Sequence, residues 1–333
     1  MFKRVAIVGA TGAVGEEFEA VLRNRKFPAS DYVLLASARS AGKSVRWIDR
    51  ERTIRELGPD SFAGCDLAFF SAGGSISKQF APLAVKAGAV VVDNSSAFRM
   101  DESVPLVVPE VNPEAIRTHK GIIANPNCST IILNVALWPL HRVNRAVRVV
   151  VSTYQAASGA GAKALAELEL QTRAVLAGQA AKPEVFPVPC AFNVFSHNSA
   201  VGPDGYNVEE TKMILETRKI FGDARIAIAP TCMRVPVKRA HTESVSIEFE
   251  KPMSPAEAKA LLEKAPGVKI VDEPTANRFP TPLEASGKDD VLVGRIRADQ
   301  SIGGGRGLQF ICTGDQLLKG AALNAVQIAE MLR

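Results

Sequence analysis

The chain has 333 residues, of which 47% are hydrophobic, and a net charge of +5. This length exceeds one ordinary hydrophobic core and favours two domains. The charge is modest, no Lys/Arg block is interleaved with aromatic residues, and no apolar run approaches the roughly 20 residues of a spanning helix, so we expect neither a nucleic acid nor a membrane as partner.

Short β-rich runs alternate with helical patterns in the first third of the chain. Glycines interrupt the apolar stretch after Met1–Arg4, so we interpret it as a strand and loop of the mature protein rather than a signal peptide. Such alternation predicts an α/β domain with a Rossmann-like, doubly wound parallel sheet. The predicted strands are Arg4–Val8, Tyr32–Ala36, Leu67–Phe70 and Val90–Asp93, and the helices are the one from the glycine loop to about Asn24 and Ser77–Ala87.

The pattern becomes richer in strands from about Val147. It predicts an α+β second domain with a large sheet, for which antiparallel pairing is one option. A surface loop is expected over Lys182–Pro189, and the amphipathic last segment, Gln316–Arg333, is expected to pack on the first domain. The predicted strands are Arg148–Tyr154, Arg225–Ala229, Glu243–Glu250 and Asp290–Ala298, and the helices are Lys163–Ala177, Val208–Phe221 and Pro255–Lys264.

One of the five cysteines has the sequence context of a nucleophile. The five show no C-x-x-C spacing, which argues against a disulfide framework or a zinc site and fits a reducing cytoplasm. Cys128 follows a short β-type stretch and the turn Asn125-Pro126-Asn127, and a helix is predicted to begin at about this residue. A helix N-terminus favours a thiolate and supplies N–H groups for an oxyanion. The other cysteines, expected to be buried as small hydrophobes, are Cys65, Cys190, Cys232 and Cys312.

A glycine-rich loop follows the first strand and opens a helix. Its G-x-x-G-x-x-G spacing departs from the commoner dinucleotide fingerprint, yet its context fits a pyrophosphate at a helix N-terminus. An ordinary strand-to-helix turn is the alternative. Together with the thiol, the loop suggests a dehydrogenase that works through a thioester. The residues of the loop are Gly9, Ala10, Thr11, Gly12, Ala13, Val14 and Gly15.

The segment after the second strand indicates which dinucleotide is bound. An NAD site usually has an acidic residue there, and this chain has none between Leu34 and Lys43. Arg39, with Ser37 and Ser40, suits a 2′-phosphate and predicts NADP; the alternative is that Arg39 is merely solvated.

The second domain supplies candidates for proton transfer and substrate binding. Arg234 and His241 lie seven residues apart across a segment with a proline. Arginine can hold a carboxylate through two hydrogen bonds, and histidine moves protons near neutral pH. Taken alone, a histidine such as His241 is more often a structural or surface residue. The remaining histidines, which lack a comparable neighbourhood, are His119, His141 and His197.

Further polar residues stand at the ends of predicted elements. Glu209 and Lys212 share a helix face, where a surface ion pair is the simplest explanation. Gln155 follows a strand and precedes a Gly/Ser loop. Arg99 follows small hydroxyl residues at a strand end, which suits phosphate.

Taken together, these motifs resemble the aspartate-β-semialdehyde dehydrogenase family nearly from end to end. The resemblance implies a catalytic and dimerisation domain of the glyceraldehyde-3-phosphate dehydrogenase-like type, and domains at 1–127 with 314–333 and at 128–313. The segments that carry it are Gly9–Gly15, Ser37–Lys43, Asn94–Arg99, Asn125–Thr130, Gln155–Gly161, Glu209–Lys212, Arg234–His241 and Gly320–Glu330.

The resemblance also implies a role for each candidate residue. Cys128 would be the nucleophile, His241 the acid/base catalyst, Gln155 would position the acyl group, and Asn127 would support the oxyanion. Substrate binding would fall to Arg234 for the α-carboxylate, Glu209 for the amino group, and Arg99 with Lys212 for phosphate. Contacts to NADP from the second domain and the tail would come from Ser158, Gly159 and Gln316.

The implied reaction is the NADPH-dependent conversion of L-4-aspartyl phosphate to aspartate semialdehyde by a homodimer, without a metal. Its product would feed lysine, methionine, threonine and diaminopimelate synthesis. The alternatives are N-acetyl-γ-glutamyl-phosphate reductase, glyceraldehyde-3-phosphate dehydrogenase, which normally prefers NAD, and a non-catalytic homologue that binds NADP. The presence of Glu209, which suits a free amino group, and of both Cys128 and His241 favours the aspartyl enzyme.

Overall fold

The computed structural model describes residues 1–332. They form two compact units, Met1–Asn127 with the residues from Ala321 onward, and Cys128–Gly320. The chain thus returns to the first unit at Ala321 rather than at the expected position 314. Among the described residues, no helix combines the length and the apolar character that crossing a membrane requires.

The first unit is built on a six-stranded, wholly parallel sheet with strand order β5-β2-β1-β6-β7-β8. Its central strands β1, β2 and β6 are buried at every position, as expected when both faces of a parallel sheet are covered. The Rossmann-like prediction is confirmed. The elements are β1 (Val5–Val8), α1 (Ala13–Asn24), β2 (Tyr32–Ala36), β3 (Ser44–Trp47), β4 (Arg50–Thr53), β5 (Arg55–Glu56), β6 (Leu67–Phe70), α2 (Gly74–Lys86), β7 (Val90–Asp93) and β8 (Ile122–Ala124).

The second unit contains a seven-stranded sheet of order β10-β11-β9-β12-β15-β14-β13. The predicted large sheet is present, but it is mixed: β9 runs parallel to β11 and β13 to β14, and the other pairs are antiparallel. The elements are α3 (Cys128–His141), β9 (Ala146–Gln155), α4 (Ala162–Leu176), β10 (Phe195–Ser196), α5 (Val208–Phe221), β11 (Ala227–Arg234), β12 (His241–Phe249), α6 (Pro255–Leu262), β13 (Val268–Ile270), α7 (Pro282–Ala285), β14 (Val291–Ala298) and β15 (Gly307–Gly314).

The chain ends in a π-helical turn, Leu318–Ala322, followed by α8 (Leu323–Glu330). The expected contact of this last segment with the first unit is confirmed, because Glu330 pairs with Arg25 at 2.6 Å. The expected amphipathic character is wrong, since residues 316–326 are all buried. The predicted end at Arg333 lies outside the described residues.

Most predicted elements agree with the structure within a few residues, and the largest error lies in β11. The predicted strand ends at Ala229, directly before Pro230. In the structure β11 continues to Arg234, and β10 pairs only with Met233 and Arg234. Pro230 therefore has a strand on one side only, where a missing N–H group is tolerated.

The adjacent strands β11, β9 and β12 of the second unit bury the side chains of one face and leave those of the other face half-exposed. Side chains alternate strictly between buried and more exposed positions along β12, from His241 to Phe249. The cross-strand register brings Cys232, Thr153, Glu243 and Cys312 into one row on the buried face. The next row towards the carboxyl end of β9 carries Arg234, Gln155 and His241, so the buried face of the sheet presents the predicted catalytic side chains.

Candidate active site

Cys128 is the first residue of α3, as predicted, and therefore lies in the helix turn where N–H groups have no intrahelical acceptor. It is partly exposed, whereas the four other cysteines are buried. A Cβ atom on Gly320 would lie 2.8 Å from the Cβ of Cys128, so only glycine allows this approach. Gly320 therefore packs directly against the first turn of α3.

Gln155 lies at the end of β9, at the centre of a buried polar network. Its Nε2 donates to Ser129 Oγ at 2.9 Å, and Thr153 Oγ1 and Glu209 Oε1 each lie 3.4 Å from the same nitrogen. Ser129 follows Cys128 on α3, and Glu209 belongs to α5. The network therefore links the sheet to both helices, and it fixes the amide plane of Gln155.

Glu209 is buried in the first turn of α5, where Lys212 Nζ lies 3.0 Å from its Oε2. The expected alternative of a surface ion pair is therefore wrong for the carboxylate. Asn207 caps this helix and forms a capping box with Glu210, which explains why α5 begins where the sequence predicted. The cap fixes where the first turn of α5 begins and thereby the buried position of Glu209 in the second unit.

Arg234, the last residue of β11, is 1% exposed. Its Nη1 donates to the Ala156 carbonyl at 2.6 Å, and the ring centroid of Phe186 lies 5.5 Å from Cζ. Burial lowers the pKa of Arg234, and the largest opposing effect comes from a negative charge on Cys128. Within residues 1–332, no atom accepts a hydrogen bond from its buried Nε.

His241 opens β12 and is completely buried. Its Nδ1 accepts from the Ala156 N–H at 3.0 Å, so in the neutral ring the proton is assigned to Nε2, for which the described chain offers no partner. Burial, followed by the positive charge of Arg234, lowers the pKa of His241 to about 3. The structure therefore holds a neutral imidazole beside Arg234 and argues against a surface histidine.

The loop after β9 packs directly on these two residues. A Cβ atom on Gly159 would lie 2.8 Å from His241 Cε1 and 3.3 Å from Arg234 Nη1. Ser158 donates to the Lys238 carbonyl and accepts from Gln316 Nε2, and Gln316 Oε1 accepts from Ala240 N–H at 2.8 Å. Ser158 and Gln316 thus hold the loop through internal hydrogen bonds, while Gly159 is exposed.

In the first unit, the glycine loop has the tight approach that its spacing indicates. Gly9 has φ +88° and lies against the backbone of Ser71, and a Cβ atom on Gly15 would lie 2.2 Å from the Gly9 carbonyl oxygen. Gly12 caps α1 without any side-chain hydrogen bond. No side chain of the cap therefore occupies the N-terminus of α1, in keeping with a phosphate-binding loop. The other residues of the loop are the buried Ala10, the exposed Thr11 and the first helical residues Ala13 and Val14.

The turn after β2 carries the residues expected to select NADP. Ser37 and Arg39 are exposed, whereas Ser40 is buried and its Oγ lies 3.5 Å from Thr11 Oγ1. The turn is therefore adjacent to the glycine loop within the first unit. Arg39 is positioned at the end of β2 with its side chain in solvent.

Arg99 and Asn127 also belong to the first unit and are buried, at 7% and 6% exposure. Arg99 donates from Nε to the Asn125 carbonyl at 2.9 Å and from Nη2 to the Asn94 carbonyl at 2.8 Å. These carbonyls follow β8 and β7, so Arg99 joins the carboxyl ends of two neighbouring strands. Asn127 directly precedes Cys128 in the chain.

His197 has no motif around it in the sequence, yet the structure brings it to the site. His197 Nε2 lies 2.9 Å from Arg234 Nη2. The contact arises because the two-residue strand β10 pairs with the end of β11, and the His197 N–H bonds to the Cys232 carbonyl at 2.8 Å. A strand this short has no detectable periodicity, so the pattern could not place His197.

Models of two domains match most of the chain. Residues 4–119 match the model of the semialdehyde dehydrogenase NAD-binding domain, and residues 137–319 match that of the semialdehyde dehydrogenase dimerisation domain. The chain is 54% identical over 329 residues to an aspartate-semialdehyde dehydrogenase of Synechocystis, covering 99% of this chain and 97% of the relative.

Solved structures show the same fold. Aspartate semialdehyde dehydrogenase II from Vibrio cholerae, complexed with ASA, superposes with a TM-score of 0.95 at 43% identity, covering 100% of this chain and 98% of that one. The Candida albicans enzyme with NADP gives a TM-score of 0.77 at 26% identity, with the same coverage. The chain combines the parallel sheet of a nucleotide-binding domain with a mixed-sheet domain that has a thiol at a helix start. These features and the similarities to known proteins have one explanation. The chain belongs to the aspartate-semialdehyde dehydrogenase family of oxidoreductases of amino-acid biosynthesis, which use NAD(P).

Proposed function

We propose that the protein reduces L-4-aspartyl phosphate to L-aspartate 4-semialdehyde with NADPH, through a thioester on Cys128. The observation that carries this proposal is the convergence, within the second unit, of a buried neutral histidine, a buried arginine with an uncommitted Nε–H and a glutamine fixed beside α3. The reaction needs a nucleophile, an acid/base group and a substrate clamp, and this set supplies them.

Substrate recognition is assigned to four charged side chains. Arg234 binds the α-carboxylate, because its Nε–H is buried and available. Glu209 binds the amino group from its buried position beside Lys212. Lys212, and Arg99 from the first unit, are proposed to bind the substrate phosphate as cationic groups.

The nucleophilic step forms a C–S bond between Cys128 and the acyl carbon and breaks the bond from that carbon to the phosphate oxygen. The first turn of α3 and the positive charge of Arg234 favour the thiolate. Gln155 orients the acyl group, and Asn127 with N–H groups at the start of α3 stabilises the oxyanion. Phosphate leaves, and Cys128 carries the acyl group as a thioester.

His241 handles the proton during the reduction. Bound NADPH supplies the hydride for the thioester carbon. The Nε2–H of His241 acts as the acid by sharing its proton, in a hydrogen bond, with the oxygen that becomes negative; the C–S bond then breaks, the aldehyde forms and Cys128 leaves as the thiolate. In the reverse direction, the Cys128 thiolate adds to the aldehyde, and the same Nε2–H stabilises the oxygen that becomes negative.

The proposed cofactor contacts are assigned within each unit separately. In the first unit, Gly9, Gly12 and Gly15 allow close backbone approach at the uncapped start of α1, where N–H groups suit a pyrophosphate. Ser37, Arg39 and Ser40 follow β2 without an acidic residue, which suits the 2′-phosphate of NADP. In the second unit, the exposed backbone at Gly159, held by Ser158 and Gln316, is assigned to the nicotinamide half.

Assembly and cellular context complete the proposal. The half-exposed face of the large sheet, with Tyr154 40% exposed, suits burial against a second copy, and the matching model is named a dimerisation domain. We therefore propose a homodimer formed through the second unit. The product would serve lysine, methionine, threonine and diaminopimelate synthesis in the cytoplasm, where the unpaired buried thiols of Cys65, Cys190, Cys232 and Cys312 remain reduced.

The test is phosphate-dependent reduction of NADP by the purified protein with L-aspartate semialdehyde. Cys128→Ala provides the nucleophile control, and N-acetyl-glutamate semialdehyde provides the substrate control. Activity on the aspartyl substrate alone, abolished in the variant, is the expected result. Activity on the acetylated substrate alone would assign the protein to N-acetyl-γ-glutamyl-phosphate reductases, and inactivity on both, in a protein that binds NADP, would indicate a non-catalytic homologue.

A further inference from the structure

A chain of hydrogen bonds runs from the start of α5 through His197 to Arg234. The Glu209 N–H donates to Ser199 Oγ at 3.2 Å, Ser199 Oγ lies 3.1 Å from His197 Nδ1, and His197 Nε2 lies 2.9 Å from Arg234 Nη2. Each link joins a different part of the second unit: α5, the segment after β10, and the end of β11. This chain controls where the guanidinium of Arg234 lies.

The chemistry of the two partners fixes the tautomer of His197. Arginine carries five N–H donors and no acceptor, so His197 Nε2 must accept from Nη2 and carry no proton. The proton then resides on Nδ1 and is donated to Ser199 Oγ, and the Ser199 N–H, 3.2 Å from the same Nδ1, cannot donate to it in this tautomer. His197 thus acts on Arg234 as a neutral acceptor.

The electrostatic surroundings keep His197 neutral. Burial lowers the pKa of His197 to about 4; Glu209 on α5 opposes this effect, and Arg234 on β11 and Lys212 on α5 add to it. His241 on β12 lies close enough to His197 that a positive charge on His197 lowers the pKa of His241. A protonated His197 would present a cation to Arg234 and remove the acceptor.

The buried Nε–H of the anchored guanidinium remains available for a ligand. Nη1 is bound to the Ala156 carbonyl and Nη2 to His197, with Asn198 Oδ1 a longer 3.3 Å from Nη2. Nε, by contrast, is buried and has no acceptor among residues 1–332. The acceptors on Nη1 and Nη2 therefore determine the direction in which Nε–H is presented.

We propose that His197 is a positioning residue that orients Arg234 towards the carboxylate of the substrate. This inference rests on the proposed function, in which Arg234 binds the α-carboxylate. His197 itself touches neither the substrate nor the reacting atoms in this assignment. Its loss should weaken recognition of the carboxylate and leave the chemistry at Cys128 and His241 in place.

The test compares His197→Leu with His197→Gln. Leucine fills the volume without an acceptor, whereas the glutamine amide oxygen can occupy the place of Nε2. We expect His197→Leu to raise KM for L-aspartate semialdehyde about 10-fold or more, since a hydrogen bond to a charged group is lost, with kcat within about threefold and KM for NADP unchanged. His197→Gln should restore KM to near the wild-type value.

A second aldehyde separates positioning from general disturbance of the site. 3-Aminopropanal lacks the α-carboxylate, so its kcat/KM should fall much less in His197→Leu than that of L-aspartate semialdehyde. Equal losses on both aldehydes, a glutamine variant as impaired as the leucine variant, or an unchanged KM in His197→Leu would each overturn the inference. A wild-type protein inactive on L-aspartate semialdehyde would instead refute the proposed function, and the inference with it.

Discussion

The Nδ1 atom of His241 accepts a hydrogen bond from the backbone N–H of Ala156, 3.0 Å away. A backbone N–H cannot accept, so this bond assigns the proton of the neutral ring to Nε2. Ala156 also holds Nη1 of Arg234 through its carbonyl. One peptide segment after β9 therefore orients both the proposed proton donor and the proposed carboxylate clamp.

We expect His241→Ala to lower kcat by about 10²- to 10⁴-fold, the usual contribution of general acid–base catalysis. KM for NADP should stay unchanged, and iodoacetamide should still label Cys128. Steady-state kinetics and mass spectrometry of the labelled protein provide these measurements. A kcat within threefold of the wild-type value would assign proton transfer to another group.

Gly159→Ala is expected to disturb the site without changing any polar group. The added Cβ would lie 2.8 Å from His241 Cε1, so the ring or the loop must move. Overpacking of this kind costs about 1–3 kcal/mol, and we expect kcat/KM to fall about tenfold or more. Gly303→Ala is the matched control, because a Cβ atom there meets nothing within 4 Å. Equal activity of the two variants would show that the loop absorbs the methyl group.

The sequence predicted those parts of the site whose residues lie at the ends of regular elements. Cys128 at the start of α3 and Gln155 at the end of β9 could be placed because hydrophobic runs mark both elements. The length of β11 depends on its pairing with β9 over all eight residues, and the neighbourhood of His197 depends on the pairing of the end of β11 with the two-residue strand β10. Contacts of this kind are tertiary and leave no local periodicity.

The sequence pattern did not predict the hairpin of β3 and β4, and the residues of its turn explain why. Two-residue hairpin turns are usually recognised in a sequence by Asn-Gly or Asp-Gly. Here Ile48 and Asp49 form the turn, and Ile48 adopts φ +57°, a conformation that β-branched residues rarely take. β4 carries no apolar residue, so no apolar alternation runs through both strands and the pattern predicted no hairpin.

Alkylation should single out Cys128. The other four cysteines are buried, and burial raises the pKa of each; for Cys190 the value is about 11. Their thiols therefore stay protonated near pH 7.5, and only a thiolate reacts readily. We expect iodoacetamide to modify one thiol per chain in the native protein and none in Cys128→Ser. Fast labelling of Cys65 or Cys232, read by peptide mapping, would contradict this assignment.

Glu243 should make the protein less stable as the pH rises. Burial raises the pKa of Glu243 well above its usual value; its Oε2 lies 3.8 Å from Cys312 Sγ, and its buried Oε1 has no partner within residues 1–332. Above the unfolded pKa of about 4.3, the folded state binds more protons than the unfolded state, so the free energy of unfolding falls with pH by up to ~1.4 kcal/mol per unit until the folded pKa is reached.

Glu243→Gln removes this titration while keeping the shape of the side chain. The melting temperature of the variant relative to the wild type should therefore increase steadily from pH 5 to pH 8. Glu184→Gln, on an exposed loop of the same unit, is the control and should show no such trend. A difference that does not change with pH would mean that Glu243 is ionised in the folded protein.

Arg39 should determine the preference between the two dinucleotides. It lies exposed in the turn after β2, where no acidic residue is available for the ribose hydroxyls of NAD. Loss of a charged hydrogen bond to the 2′-phosphate should raise KM for NADP about tenfold or more in Arg39→Ala and leave the weaker use of NAD unchanged. Arg46→Ala, which removes an exposed arginine from β3, controls for the loss of positive charge alone. If both variants raise KM for NADP equally, the effect is a general electrostatic one, and the 2′-phosphate must be recognised by other groups of the first unit.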